Sequence, residues 1–247
     1  MYFLPLDYEP NPPDLTLDSI SQATYWNPER LQSAKYYQHA VFEEANKFLR
    51  ANLCHLEEIC VADLGCGAAQ KTRVLKTGMA SSINYIGYDQ PECVVWLDEN
   101  YPDGHWTPVN FLDSPENLPQ SFSYQHKADL VICSDVIEHV SDPDKVFAWL
   151  KFLCKPEGWI IISTVDRSRV RGRGNRNSPN KSHVYEWTKA EFLKLLKSRG
   201  FRIEKHLHVL PAKFGANKTF LAELCQAVKK RRNIFYGQLV VVQLGKF

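Results

Sequence analysis

Between residues 59 and 164 short apolar runs rich in branched side chains alternate with polar stretches of helical spacing, and that alternation narrows the possible folds more than any other feature of the chain. Residues 59–64, 83–88, 106–111, 128–133 and 159–164 each have the length of a buried strand. Lys155-Pro156-Glu157-Gly158 is expected to turn the chain before the last of them. Helical spacing over 142–153 fills one gap, and a second helix is expected over 188–199. That second helix opens on a capping-box pattern, Thr188 with Glu191 three residues on, and stops at Gly200. Residues 201–209 and 237–243 supply two further strands. Strands separated by helices pair in parallel through right-handed crossovers, with helices on both faces. The expectation is an α/β, doubly wound, mostly parallel seven-stranded sheet.

Before that pattern begins, residues 1–18 are rich in proline and acid and read as an irregular arm. Asn27-Pro28-Glu29 has the form of a helix start, with Asn27 as N-cap and Pro28 at the first helical position. Apolar residues at helical spacing then predict one amphipathic helix to about Leu53. With no internal repeat or low-complexity linker, the reading is one domain over 1–247: an arm and helical lid to residue 55, then a core with a long loop at 166–182. The formal net charge of +2 neither demands nor excludes a polyanionic partner. Seven scattered cysteines without paired spacing suit reduced, mostly buried thiols. The N-terminus lacks the basic segment and apolar stretch of a secretion signal, and no run approaches the ~18 apolar residues of a membrane span. A cytoplasmic protein without membrane insertion is expected.

Val61-Ala62-Asp63-Leu64-Gly65-Cys66-Gly67 puts a carboxylate and two glycines on the turn leaving a buried strand. Glycines there let the backbone approach a ligand, and the helix that follows offers free amides. Asp63 at the strand end suits an ammonium group, and Asp89 at the end of the next strand suits both hydroxyls of a ribose. The G-x-G-x-x-G spacing of a nicotinamide dehydrogenase is absent, because Gln70 stands at the third position.

Three further segments carry a resemblance in order: Tyr88-Asp89, then Asp129-Leu130-Val131-Ile132-Cys133-Ser134-Asp135-Val136-Ile137-Glu138-His139-Val140, then Lys155-Pro156-Glu157-Gly158-Trp159. With the glycine turn, they make the chain resemble the Rossmann-like class I S-adenosylmethionine (SAM)-dependent methyltransferases over about residues 58–205. The likeness is to the bacterial branch related to ubiquinone-biosynthesis and type-11/type-23 enzymes. It implies that Asp63, Gly65, Cys66 and Gly67 cradle the methionine part of SAM, and that Asp89 and Gln90 hold the ribose. It further implies Asn110 and Phe111 beside the adenine and Ser134 beside the methionine. The chain departs from the family at Ala69, where a third glycine is common, and at Asn110, where many members carry Asp.

Methyl transfer from a sulfonium is an in-line displacement in which the enzyme aligns the acceptor and often removes its proton. Histidine suits that task near neutral pH, and His139 and His183 are the candidates for the catalytic positions. The competing reading of Glu138, and of His139 beside it, is that they cap and order the following helix, and for Glu138 that reading is preferred. Arg167, Arg169, Arg171, Arg173 and Arg176 crowd the loop before His183, as an anion site or as a solvated segment. Tyr25, Trp26, Tyr36 and Tyr37 suit a lid over donor and acceptor. The loop leads into His183-Val184-Tyr185-Glu186-Trp187, which resembles a segment of methyltransferases from bacterial glycan gene sets. That resemblance implies metal-independent O-methylation of a small-molecule or glycan acceptor.

The same residues also resemble the small-RNA 3′-terminal 2′-O-methyltransferases, whose Glu-x-x-Glu-His plus a distant His hold a divalent cation. Asp135 here replaces the first Glu, and near-neutral charge offers little of the basic surface that RNA needs. A non-catalytic scaffold of the same fold is the third alternative, opposed by the intact Asp63, Gly65, Gly67 and Asp89.

Overall fold

The computed structural model describes residues 2–12, 27–115, 125–172 and 174–245. In chain order these form α1 (Pro28–Ala34), α2 (His39–Asn52), β1 (Glu58–Leu64), α3 (Thr72–Lys76), β2 (Ser82–Asp89), α4 (Pro91–Asn100) and β3 (His105–Pro108). There follow β4 (Ala128–Ser134), a 3-10 turn (Ile137–His139), α5 (Pro143–Leu153), β5 (Cys154–Val165), α6 (Arg167–Val170), α7 (Lys189–Ser198), β6 (Phe201–Val209), α8 (Lys218–Lys229) and β7 (Gly237–Leu244). The strands make one seven-stranded sheet in the order β3-β2-β1-β4-β5-β7-β6. β1 to β5 pair in parallel, and β7 runs antiparallel to both its neighbours.

Strand alternation divides the core. Ala62, Leu64, Val131, Cys133, Ile160 and Ile162 face α5 and α7, packing on Val146, Trp149, Phe192 and Leu195. The intervening residues Ile59, Val61, Leu130, Ile132 and Ile161 face α2, packing on Val41, Phe42, Ala45 and Leu49. A side-chain period of two with both faces covered is what makes these strands continuous apolar runs. Among the described residues no helix is long and apolar enough to cross a membrane.

Two local expectations fail, each for a tertiary reason. The helix from Pro28 does not continue to Leu53. Asn27 caps it as expected, its side chain accepting from the Arg30 amide at 3.0 Å, but it stops after Ala34. Gln38 takes a left-handed φ of 60°, its amide donates to the Pro211 carbonyl at 2.8 Å, and Tyr37 forms a β-bridge with Ala212. A distant segment thus claims backbone groups that would otherwise extend the helix. Likewise Lys155-Pro156-Glu157-Gly158 does not precede β5 but lies inside it. The pairing with β4 jumps from Ala128–Cys154 to Leu130–Trp159, so these residues bulge from a strand that has already begun.

Parallel pairing brings the ends of β1, β2, β4 and β5 to one edge of the sheet. The connections after them, where ligands of such sheets bind, meet there.

Candidate active site

The turn after β1 is held in shape by its backbone. Gly65 has φ +83° and donates to the Tyr88 carbonyl at 2.8 Å; a Cβ on it would lie 2.2 Å from Val136 Cγ2. Gly67 donates to Asp89 Oδ2 at 2.7 Å, and the Gln90 amide donates to Asp89 Oδ1 at 2.8 Å. Ala69, where the resemblance would put glycine, has φ +49°, so alanine adopts there a left-handed conformation that suits glycine. Asp63 is buried, accepts from the Tyr85 hydroxyl, and keeps Oδ1 without a partner. Burial pushes the carboxyls of both Asp63 and Asp89 up to about 6; Tyr85 and Lys71 oppose the shift at Asp63, and the two amides oppose it at Asp89.

A cavity of about 1130 Å³ opens beside this turn at the carboxyl edge. Of the residues expected to hold the cofactor, Gly65, Cys66, Gly67, Asp89, Gln90, Phe111 and Ser134 line it, and both His139 and His183 do so as well. Two expected residues do not. Asp63 lies buried outside the lining. Asn110 is exposed, and its side-chain oxygen accepts from the Leu112 amide, capping the turn rather than facing the cavity. Ser134 is tied by its hydroxyl to that of Ser163 at 2.9 Å. Tyr25 and Trp26 fall outside the described residues, as does Arg173.

The two histidines come together although 44 positions apart in sequence, their ring centroids separated by 4.8 Å with planes at 88°. Each is fixed through Nδ1: His139 on the Ser182 carbonyl at 2.7 Å, and His183 on Glu186 Oε1 at 2.8 Å. A ring whose Nδ1–H donates to a carbonyl or carboxylate presents Nε2 as an acceptor. Burial, with His183 alongside, pulls the His139 pKa down to about 4, so this imidazole is neutral at pH 7. Glu138 is buried as well; desolvation and the Asp135 charge push its carboxyl up, and its Oε2 has no hydrogen-bond partner. Ligand-type atoms of Glu138, His139 and His183 all lie within 4.8 Å of one another.

Glu186, which sequence reasoning passed over, organises the approach to His183. Its side chain is fully buried, and its Oε1 accepts from His183, from Ser178 Oγ at 2.6 Å and from Arg171 at 3.3 Å. Burial alone would raise its carboxyl, but these partners hold it below its ordinary value. The surrounding loop is accordingly neither a solvated segment nor a free cluster of guanidinium groups. Arg167 is 1% exposed and binds both oxygens of Glu191, Arg176 pairs with Asp7, and Arg169 donates to the Phe235 carbonyl. The N-terminal arm straps this loop: the Tyr8 hydroxyl accepts from the Glu186 amide, and the Asn11 side chain reaches the carbonyls of Ser178, Asn180 and His183.

A model of a methyltransferase domain matches residues 35–206, more than half of the sequence. The chain belongs to that family. This methyltransferase is SAM-dependent, with SAM as its cofactor. It is 30% identical over 115 residues to a ubiquinone biosynthesis O-methyltransferase of Hydrogenovibrio crunogenus, covering 46% of this chain and 45% of that one. To the enzyme of the same name from Bordetella avium it is 27% identical over 205 residues, covering 81% and 76%. The methyltransferase therefore spans about half the length of the first of these relatives. Burkholderia thailandensis 1,6-didemethyltoxoflavin-N1-methyltransferase, solved with its substrate and S-adenosylhomocysteine, superposes with a TM-score of 0.58 at 15% identity, covering 94% of this chain and 88% of that one. At that identity the likeness is one of fold.

Proposed function

We propose that this methyltransferase acts in the cytoplasm on a hydroxyl oxygen of a small-molecule or glycan acceptor, without a metal. The observation that carries the reading is the pair of Nδ1-anchored imidazoles in the same cavity as the glycine turn. O-methylation is also the activity for which the two bacterial relatives are named. In this reading Gly65, Cys66 and Gly67 cradle the methionine of SAM and Asp89 and Gln90 take its ribose. Neutral His139 orients the acceptor hydroxyl. As the acceptor oxygen bonds to the methyl carbon, the sulfur–methyl bond breaks and S-adenosylhomocysteine departs. The hydroxyl proton passes to His183 Nε2, where the buried Glu186 carboxylate offsets the new charge.

A second reading is favoured by the orphaned Glu138 Oε2 beside two imidazoles. Two imidazoles and a carboxylate suit a transition-metal dication such as manganese, cobalt or zinc, which would hold an acceptor's paired hydroxyls, as at an RNA 3′ end. Asp135 is outside that group, its Oδ1 accepting from Ser163 at 2.8 Å.

Transfer of radiolabelled methyl from SAM into a host-cell extract, with and without EDTA, separates the two. Label in a nuclease-resistant small-molecule or glycan fraction, unaffected by EDTA, is the expected outcome. Label on RNA that disappears with EDTA overturns it.

A further inference from the structure

The register of the last strands places Val165, Gly237 and Val209 side by side. The connection from β6 to β7, residues 210–236, therefore lies on the same edge as the cavity. Antiparallel neighbours need only about two to five residues to join them, and connections far beyond that length are usually functional. This one carries α8 and lies beyond the family match, which ends at residue 206. It also locks onto the α1–α2 break through the Tyr37–Ala212 bridge and the paired bonds Gln38 N to Pro211 O and Lys213 N to Tyr36 O.

At its centre is a buried carboxylate. Glu223 accepts from the Tyr37 hydroxyl at 3.1 Å, the Tyr236 hydroxyl at 2.9 Å and Arg232 Nη2 at 2.7 Å. The Arg232 guanidinium lies 4.7 Å from the Tyr236 ring centroid, and its Nε is buried without a partner. All four side chains line the cavity that also holds the glycine turn and the histidines.

We infer that residues 210–236 form the acceptor-recognition wall of the cavity and that Tyr37, Glu223, Arg232 and Tyr236 read a neutral sugar ring; the inference rests on the acceptor class proposed above. With their protons committed to Glu223, both phenols offer the cavity oxygen lone pairs, while the Arg232 guanidinium lining the same cavity supplies N–H donors beside them. Alternating acceptors and donors match the neighbouring hydroxyls of a pyranose, each of which donates and accepts. Tyrosine rings suit its C–H face. An anionic group fits these four residues poorly, because the guanidinium among them is already paired with Glu223.

Saturation-transfer NMR on the full chain with S-adenosylhomocysteine tests this. The probes are the methyl α-glycosides of glucose, mannose, galactose and rhamnose, with 3,4-dihydroxybenzoate as a flat diol. We expect at least one glycoside to bind at millimolar concentration. Arg232→Gln and Tyr236→Phe should each weaken it at least five-fold, while S-adenosylhomocysteine affinity stays within two-fold. Should Arg232→Gln fail to fold, Tyr236→Phe, which removes one oxygen, carries the test. A glycoside that binds both folded variants as tightly as the parent overturns the wall assignment and leaves the acceptor class standing. Binding of the benzoate alone, or of no probe, overturns the acceptor class and the wall together.

Discussion

The two halves of the cavity are built by different means. On the proposed donor side, Gly65 donates to the Tyr88 carbonyl, and the Gly67 and Gln90 amides donate to the Asp89 carboxylate, all within the unit β1–α3–β2. On the proposed acceptor side, His183 owes its position to Glu186, Ser178, Arg171 and Asn11, and the far wall to a pairing between Tyr37 and Ala212. The first arrangement depends on main-chain shape, which few substitutions can reproduce. The second depends on side chains gathered from across the chain, which can vary one at a time. A donor common to a family and an acceptor peculiar to each member call for that division.

Three substitutions sharpen the contrast. Gly65→Ala should have the largest effect, because its Cβ meets Val136 at 2.2 Å on a backbone already at φ +83°. Isothermal titration should find SAM binding lost, and binding within ten-fold of the parent would show that the turn adjusts. Glu186→Gln comes next, retaining shape but removing the charge behind His183. Turnover should fall by roughly 100-fold, the scale of general-base assistance, with the SAM dissociation constant unchanged; equal turnover would remove the dyad from the chemistry. Ala69→Gly is the smallest and runs the other way. Relieving a left-handed alanine should stabilise the fold by about 1 kcal/mol in urea denaturation, and a destabilised variant would show that the methyl packs usefully.

How much of this was legible in the sequence follows the same division. The strand beginning at Glu58, the glycine turn and Asp89 are local signals whose backbone conformations are written into their residue types. Thr188 and Glu191 likewise form the expected capping box. Yet Glu191 also receives Arg167, and nothing near either residue announces that pairing. The end of α1 at Ala34 is set by Pro211 and Ala212, so helical periodicity could not foresee it. The arginines read as an anion site or a solvated segment because no acid stands among them in the sequence; only assembly reveals that Glu191, Glu186 and Asp7 meet Arg167, Arg171 and Arg176. Residues 218–229 went unread as a helix, although Asn217 caps it through the Phe220 amide. Asn110 was carried over by likeness, and nothing in its sequence context announced that its side chain caps its own turn.

The strap formed by the N-terminal arm bears on how the protein comes into being. Asn11 meets Ser178, Asn180 and His183 across 167 to 172 positions of sequence. During synthesis the arm leaves the ribosome long before residues 178–183 and waits for them before it finds its partners. Contacts of such separation form late, because their loop must close before they contribute anything. The glycine turn can be in place on a nascent chain whose histidine is not yet held. On the roles proposed above, the growing polypeptide acquires the means to grip its methyl donor well before it can align a base to use it.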